Sequence, residues 1–573
     1  MILQALTRHY EELLALGKIT PPGWAKVKVS YALELTDDGS LLSLLPLQTE
    51  QKRKNKSVWV PQELEAPMPV KRSSGVAANF LCDNSSYLLG IDQKGNPKRT
   101  CECFAACKAL HLALLQNATS PAARAVFQFF SHWDPAYAGE HPAMTEPGVL
   151  QGGNLVFWYK GQCVNGDPQL REIWQKHYDS ADAAQTIRCL VTGRREPLAQ
   201  LHPNIKGVQG AQSSGAALVS FNAPAFCSYG HEQGANAPVG SYAAFAYTTA
   251  LNHLIADREH IRRVGDTTLV CWAEGGKHGY QECFIEAMFR DTLTELDVRT
   301  AFIKLANGDP VEWNDNLLDP STQFYVLGLA PNAARLSVRF FLQNSFGALA
   351  RNIKCHYDRL NMIRPSFEKF DTLPIWRLLQ ETTNKNARNP APSPQLAGEL
   401  LRAVLTGGFY PATLLQGITL RIRAEQKITW GRAAGIKAYY LRNSKNALLK
   451  EVMTVELNEQ SNYLPYVLGR LFSVLEAVQE AANPTINSTI KDRYFNSASA
   501  SPAFVFPLLI NLAEKHLAKL QKGHKIYYSR QIADLVDRIQ KSLPKRLALD
   551  EQGAFQIGYY HQTQKRFTKK GEQ

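Results

Sequence analysis

The sequence predicts an α+β protein: a mixed α/β N-terminal and middle region followed by an all-α C-terminal helical bundle. Three observations carry this prediction. Residues 25 to 110 hold short alternating runs, "KVKVSYALEL" and "SVWVPQEL", between turn signals such as "DDGS" and "QKGNPKR", and a period of two marks half-buried strands. From about 100 onward helical patterns interleave with strand-like ones, "GNLVFWYKG", "TTLVCWAE" and "TQFYVLGLAPNAARLSVRFFL". Beyond a segment of low hydrophobicity, Glu381 to Glu399, with prolines at 390, 392 and 394, helical periodicity takes over.

In order along the chain, "MILQALTRHYEELLALGKITPPGW" places Leu3, Leu6, Tyr10, Leu13 and Leu14 at helical spacing around Glu11 and Glu12. It reads as neither a signal peptide nor an anchor. No other stretch approaches the roughly 18 uncharged apolar residues of a membrane span, so a cytoplasmic protein with no membrane partner is expected. Its ten cysteines are too dilute for a disulfide scaffold and are expected as reduced thiols. The basic run "EQKRKNK", Glu50 to Lys56, reads as a solvated loop. Cys101, Cys103 and Cys107, with Cys82 or His111, raise the question of a metal. Cys103 and Cys107 fall four apart on an amphipathic helix with Phe104, Leu110 and Leu114 instead of in paired knuckles. Buried helix cysteines are therefore expected, with no metal and no cofactor. "FGALARNIKCHYDRL" is helical, and further helices are expected at 397–406, 411–425, 430–444, 463–482, 503–521 and 527–542. The expected organisation is an α+β region over 1–385, a helical connector over 386–452 and a helical bundle over 453–573. At about 100–200 residues per domain, 573 residues call for several.

Charge narrows the partner. Lys and Arg number 64 against 51 Asp and Glu, a net charge of +13 and a pI near 9.1, which favours an anionic partner and puts nucleic acid first.

The segment "HPNIKGVQGAQSSGAALVSFNAPAF", His202 to Phe226, lacks acidic residues. Gly207, Gly210 and Gly215 allow close backbone approach and positive φ, and "AALVSFN" has strand-forming residues. Three readings compete for it. A tightly packed turn would use its amides and hydroxyls on its own backbone. A hydrolase elbow with Ser213 or Ser214 as nucleophile fails on spacing, because Gly210 and Gly215 stand one residue too far apart and the strand follows the serines. A nucleic-acid reader would use Gln209, Gln212, Asn222, Gln233, Asn236 and Asn252 as donors and acceptors with Lys206 on a phosphate. "PVKRSSGVAANFLCDN", Pro69 to Asn84, repeats that chemistry with Lys71, Arg72, Ser73 and Ser74 before Gly75. The chain has no P-loop, no H-E-x-x-H and no paired-carboxylate nuclease pattern, so no catalytic residues are assigned.

"CLVTGRREPLAQLHPNIKGVQGAQSSGAALVSFNAPAFCSYGHEQGANAPVGSYAAFAYTTALNHLI", Cys189 to Ile255, resembles the signature block of the Csd-type, Cas8-type large subunit of the type I-C CRISPR Cascade. "MILQALTRHYEEL", "KRSSGVAANFLCDNSSYLLG" and "LSVRFFLQNSFGALARNIKCHYDRL" resemble further blocks of that family in the same order, while "CECFAACKALH" departs from it. The resemblance implies a non-catalytic subunit of an antiviral defence complex. Such a subunit sits by the crRNA 5′ handle with Cas5-type and Cas7-type backbone subunits and a small subunit. It inspects double-stranded target DNA for the protospacer-adjacent motif (PAM), starts unwinding toward an R-loop, and presents the complex to a Cas3-type helicase-nuclease. Guide pairing then carries most of the sequence specificity. A basic RNA-binding scaffold unrelated to CRISPR is the alternative; a serine hydrolase or metal nuclease comes last.

On this reading Lys71, Arg72, Ser73, Ser74, Lys206, Gln209, Gln212, Ser213, Ser214, Asn222, Gln233 and Asn236 bind the motif-bearing duplex. Lys71, Arg72 and Lys206 are its phosphate clamps, and Gln209 and Gln212 its base readers. Arg470, Lys491, Arg493, Lys515, Lys519, Lys522 and Lys525 are expected on polar faces that hold displaced single-stranded DNA, with Tyr494, Phe495, Tyr527 and Tyr528 beside them for stacking. The family also produces its small subunit from an internal start, and "ALLKEVMTVELNEQSNYLPYVLGRLFSVLEAV" resembles that start at Met453, the one methionine after Met362.

Overall fold

The computed structural model describes residues 1–53, 56–70, 72, 75–93, 96–144, 147–181, 186–289, 296–388 and 390–567. About 50% of the chain is helical and 17% strand, the α+β class expected. It divides into two units: residues 1–203 with 219–250, and residues 204–218 with 251–573.

The first unit is built on a mixed sheet. Strand Trp24–Leu35 lies at its middle, antiparallel to Lys56–Pro67 and parallel to Asn154–Tyr159, with Gln48–Arg53 and Cys82–Asp83 outside them. The basic run at Glu50–Lys56, expected as a loop, is largely strand: Gln48–Arg53 pairs with Lys56–Pro67 in a hairpin. Helices Pro97–Leu115 and Pro121–His132 begin at Asn96 and Ser120, whose side chains accept from the Lys98 and Ala123 amides, with proline at the first helical position of each. That pairing of cap and proline fixes where a helix starts. The first of them buries Cys103, Phe104, Cys107, His111 and Leu115, one face of a 3.6-residue period, and leaves Cys101 exposed. The cysteines at 103 and 107 are thus core side chains. The core stacks Phe80 on Trp174 and His111 on Phe130, with centroids 5.6 and 4.3 Å apart.

The second unit starts from an antiparallel sheet in the order Ile261–Val264, Thr267–Ala273, Gln323–Asn332, Arg335–Ser345. Helices Tyr280–Phe289 and Phe346–Leu360 pack on it, and the helical region follows: Pro394–Thr406, Ala412–Glu425, Trp430–Asn443, Leu464–Ala482, Ile490–Ala500, Pro502–Leu517, Lys522–Asp537 and Leu549–Phe567. One continuous core runs from Val264 to Tyr560. At its centre helices Leu464–Ala482 and Leu549–Phe567 touch backbone to backbone. A Cβ on Gly469 would lie 1.9 Å from the Phe555 carbonyl oxygen and one on Gly558 2.2 Å from that of Tyr466, so only glycine permits the crossing. Leu549–Phe567 also faces Trp430–Asn443: Tyr440 Oη donates to the Leu549 carbonyl at 3.1 Å, and Tyr560 Oη to the Ile363 carbonyl at 2.7 Å. Among the described residues no helix is long and apolar enough to cross a membrane.

Candidate nucleic-acid interface

The glycine-rich segment Asn204–Leu218 is a closed loop. Ile205 and Ala216 exchange both backbone hydrogen bonds at 2.9 Å, shutting its neck. Asn252, on helix Ser241–Ala256, accepts from the Lys206 amide at 2.8 Å and donates to the Asn204 carbonyl at 3.1 Å. The Gln209 amide donates to Thr268 Oγ1 at 3.3 Å, and the Ala217 amide to the Ala334 carbonyl at 3.0 Å. Gly207, Gly210 and Gly215 have φ of +83°, +78° and +95°. Their missing Cβ atoms make room: one on Gly215 would lie 2.8 Å from the Ile205 carbonyl oxygen. Ile205, Val208 and Ala216 are buried, while Lys206, Gln209, Gln212, Ser213 and Ser214 face solvent. A fixed backbone therefore displays one cation, two amides and two hydroxyls, which between them both donate and accept. The strand expected at Ala216–Asn222 does not form. Ala216 and Ala217 make isolated bridges only, because the ends of the loop are spent on closing its neck and meeting Arg335.

His202 is no base for these serines: its Nδ1 lies 2.7 Å from Tyr247 Oη, and burial pulls its pKa down to about 4.

The other expected site residues fare differently. Lys71, Ser73 and Ser74 lie outside the described residues. Arg72, expected as a phosphate clamp, turns inward. It pairs through two nitrogens with buried Asp83, donates from Nε to the Ala77 carbonyl at 2.6 Å and lies 3.9 Å over the Tyr87 ring. Asp83 also accepts from the Asn79 and Asn84 amides at 3.0 and 2.9 Å, so this ion pair ties Arg72 to the segment 77–84. Asn236 is likewise committed to its own turn, accepting from the Ser228 amide and donating to the His231 and Gln233 carbonyls. Asn222 and Gln233 are exposed.

In the C-terminal region Lys515, Lys519, Lys522 and Lys525 are exposed at adjoining ends of helices Pro502–Leu517 and Lys522–Asp537, and Arg493 is exposed over Tyr494. Lys491 is half-buried, 5.4 Å over the Tyr559 ring. Arg470 is not on a polar face. It is buried, donating to Gln562 Oε1 at 3.1 Å and to the Asn458 and Glu459 carbonyls at 3.3 Å. Phe495 is a core residue, Tyr528 is half-buried, and Tyr527 is exposed. Met453 is buried in a turn, its amide donating to the Lys450 carbonyl.

Sequence reasoning missed the hairpin of strands Thr186–Arg188 and Arg195–Pro197, where Arg188 stands directly across from Arg195 with Arg194 beside it, all three exposed. The run "GRRE" after a turn glycine was the available signal.

The family model of CRISPR-associated protein Csd1 matches residues 6–567. The chain belongs to that family. Membership of the Csd1 family is consistent with a Csd-type large subunit of type I-C and gives the protein a Cascade-related role. No curated protein matches the chain.

Proposed function

We propose that this Csd1 protein is the non-catalytic large subunit of a type I-C Cascade, working in the cytoplasm beside the crRNA 5′ handle and the Cas5-type and Cas7-type subunits. It reads the PAM in double-stranded DNA, promotes unwinding and R-loop formation, and helps recruit the Cas3-type helicase-nuclease. The observation that carries this reading is the locked loop Asn204–Leu218 with Lys206, Gln209, Gln212, Ser213 and Ser214 outward. A rigid loop loses little entropy on binding, and amides beside small residues suit a narrow groove. In the second unit Lys206 meets phosphate and Gln209 and Gln212 meet base edges; in the first unit Lys71, Asn222 and Gln233 are separate contacts to the duplex. Gel shifts of the assembled complex on duplexes differing only in the flanking trinucleotide test the assignment. Gln209→Ala and Gln212→Ala should each flatten the ranking by about 1–3 kcal/mol per lost contact, whereas Lys206→Ala should weaken every duplex alike and lower the salt slope by about one. Unchanged ranking in both glutamine variants sinks it.

The same reading gives residues 453–573 a second existence as a separate small subunit started at Met453, its lysines at 515, 519, 522 and 525 with Arg493 and Lys491 holding the displaced strand. Released from the chain, helix Leu549–Phe567 would lose its contacts with Tyr440 and Ile363, so the free fragment should cover that face by association. Met453→Leu should leave the full-length protein intact and remove a fragment of about 120 residues from the complex, the length expected of one further small domain; if the parent preparation holds no fragment, the internal start is wrong.

A further inference from the structure

Among the described residues of the first unit the most exposed large hydrophobic side chain is Tyr229, at 97%. It occupies the turn Ser228–His231, closed by a hydrogen bond from the His231 amide to the Ser228 carbonyl at 3.0 Å. Both central residues have positive φ, +55° at Tyr229 and +72° at Gly230. Such turns favour Asn, Asp or Gly first, and tyrosine adopts the left-handed region at a steric cost. The strain persists because the surroundings hold it. Asn236 Oδ1 accepts from the Ser228 amide at 2.8 Å, its Nδ2 donates to the His231 and Gln233 carbonyls, and the Gly234 amide donates to the Gln200 carbonyl at 3.1 Å. A strained residue fixed by its neighbours and aimed at solvent is a sign of function.

The same scaffold carries the arginine hairpin. The Leu190 amide donates to the Pro238 carbonyl at 2.9 Å and the Ala199 amide to the Val239 carbonyl at 3.0 Å, tying residues 189–200 to the segment that follows Tyr229. Arg188 and Arg195, opposite each other in register, line a half-open polar depression of about 460 Å³ on the hairpin surface. Like charges placed opposite across a hairpin destabilise it, and neither these two nor Arg194 forms an ion pair among the described residues. A polyanion would relieve that repulsion.

We propose that Tyr229 and the arginine hairpin form a binding site for an unpaired stretch of nucleic acid, a base stacking on the Tyr229 ring and phosphates meeting Arg188, Arg194 and Arg195. This deepens the reading of the protein as a nucleic-acid reader and rests on it. Aromatic platforms with basic tracks are the usual means of holding single strands without sequence preference. A duplex does not offer a free base face, so the site selects strands that are already open.

The test uses the full-length protein and a short single-stranded oligodeoxynucleotide carrying 2-aminopurine, with an oligoribonucleotide of the same sequence as the second arm. Wild type should quench the fluorescence, and the tighter arm identifies the strand as DNA or RNA. Tyr229→Ala should abolish the quenching and weaken binding about five- to 150-fold, and Tyr229→Trp should restore both. Tyr229→Gly relieves the left-handed strain and so folds at least as well; it should lose quenching like alanine. Arg194→Ala with Arg195→Ala should lower the salt slope by about 1.4, roughly 0.7 per phosphate contact on a single strand. Quenching and affinity unchanged in Tyr229→Gly overturn the proposal, as does loss of a partner protein from the complex with single-strand binding intact, which would make Tyr229 a protein contact. Duplex ranking by flanking trinucleotide is a separate readout: its absence in wild type with stacking retained refutes the motif loop alone, and its presence without stacking refutes this site alone.

Discussion

Asn252→Ala removes the two hydrogen bonds that hold the first arm of the Asn204–Leu218 loop, one accepted from the Lys206 amide at 2.8 Å and one donated to the Asn204 carbonyl at 3.1 Å. Each contributes about 0.5–1.5 kcal/mol net, so the closed loop loses about 1–3 kcal/mol against its open forms, roughly a five- to 150-fold rise in opening. The neck bond between Ile205 and Ala216 reports on it directly, because both amides are internally bonded and both residues buried. Native-state hydrogen exchange should show these amides exchanging faster by that factor, with the global melting temperature nearly unchanged. Asn252→Asp keeps the acceptor and loses the donor, so its effect should be about half as large in kcal/mol. Duplex affinity should fall in proportion to the fraction of loops left closed. If exchange at Ile205 and Ala216 matches wild type in Asn252→Ala, the loop is not locked as described and its polar display is not preorganised.

Asp83→Ala should destabilise the first unit by about 3–5 kcal/mol, since it strands the Arg72 guanidinium and two backbone amides; thermal melting within a degree of wild type would contradict this. Acid should unfold the protein through its buried histidines. Burial holds His111 and His202 at about 4 and His356 and His561 at about 3, below an unfolded value near 6.5. The unfolded chain therefore binds more protons, and the stability these groups supply is complete above pH 6.5 and lost as pH falls from there to about 4 for His111 and His202 and to about 3 for His356 and His561. Each is on the order of 3 kcal/mol. Melting temperature against pH should drop steeply between 6.5 and 4.5, and His356→Gln should flatten the slope by about one proton; identical slopes would refute it.

Much of the fold was legible because leucine periodicity was strong where helices bury leucine, as at Leu464–Ala482. Helix Leu549–Phe567 escaped because it is buried all round: every residue from Gln552 to Gln562 is buried, and Phe555, Ile557, Tyr559 and Tyr560 alternate with glycines, amides and His561, so no apolar stripe of helical period stands out. Arg470 was misplaced for the related reason that a buried cation paired with carbonyls looks, in sequence, like a surface one. The loop at 204–218 announced itself through its glycines, but not the partners that lock it, Asn252 and Thr268, which lie 46 and 59 residues from the amides they bind. Arg72 next to serines and glycine suggested a phosphate site; only the fold brings Asp83 and Tyr87 to it. Tyr229 gave no signal, since an exposed tyrosine and a buried one are the same letter and its left-handed backbone depends on Asn236.

The central claim is that the Asn204–Leu218 loop contacts the sequence flanking the target in duplex DNA, and site-specific photocrosslinking tests it most directly. A photoreactive residue placed at position 209 or 212 of the assembled complex, with target duplex bound, should crosslink to bases of the flanking trinucleotide and lose the crosslink when that trinucleotide is replaced. Crosslinks confined to the guide-paired region, or equal crosslinking to every flanking sequence, would contradict the account.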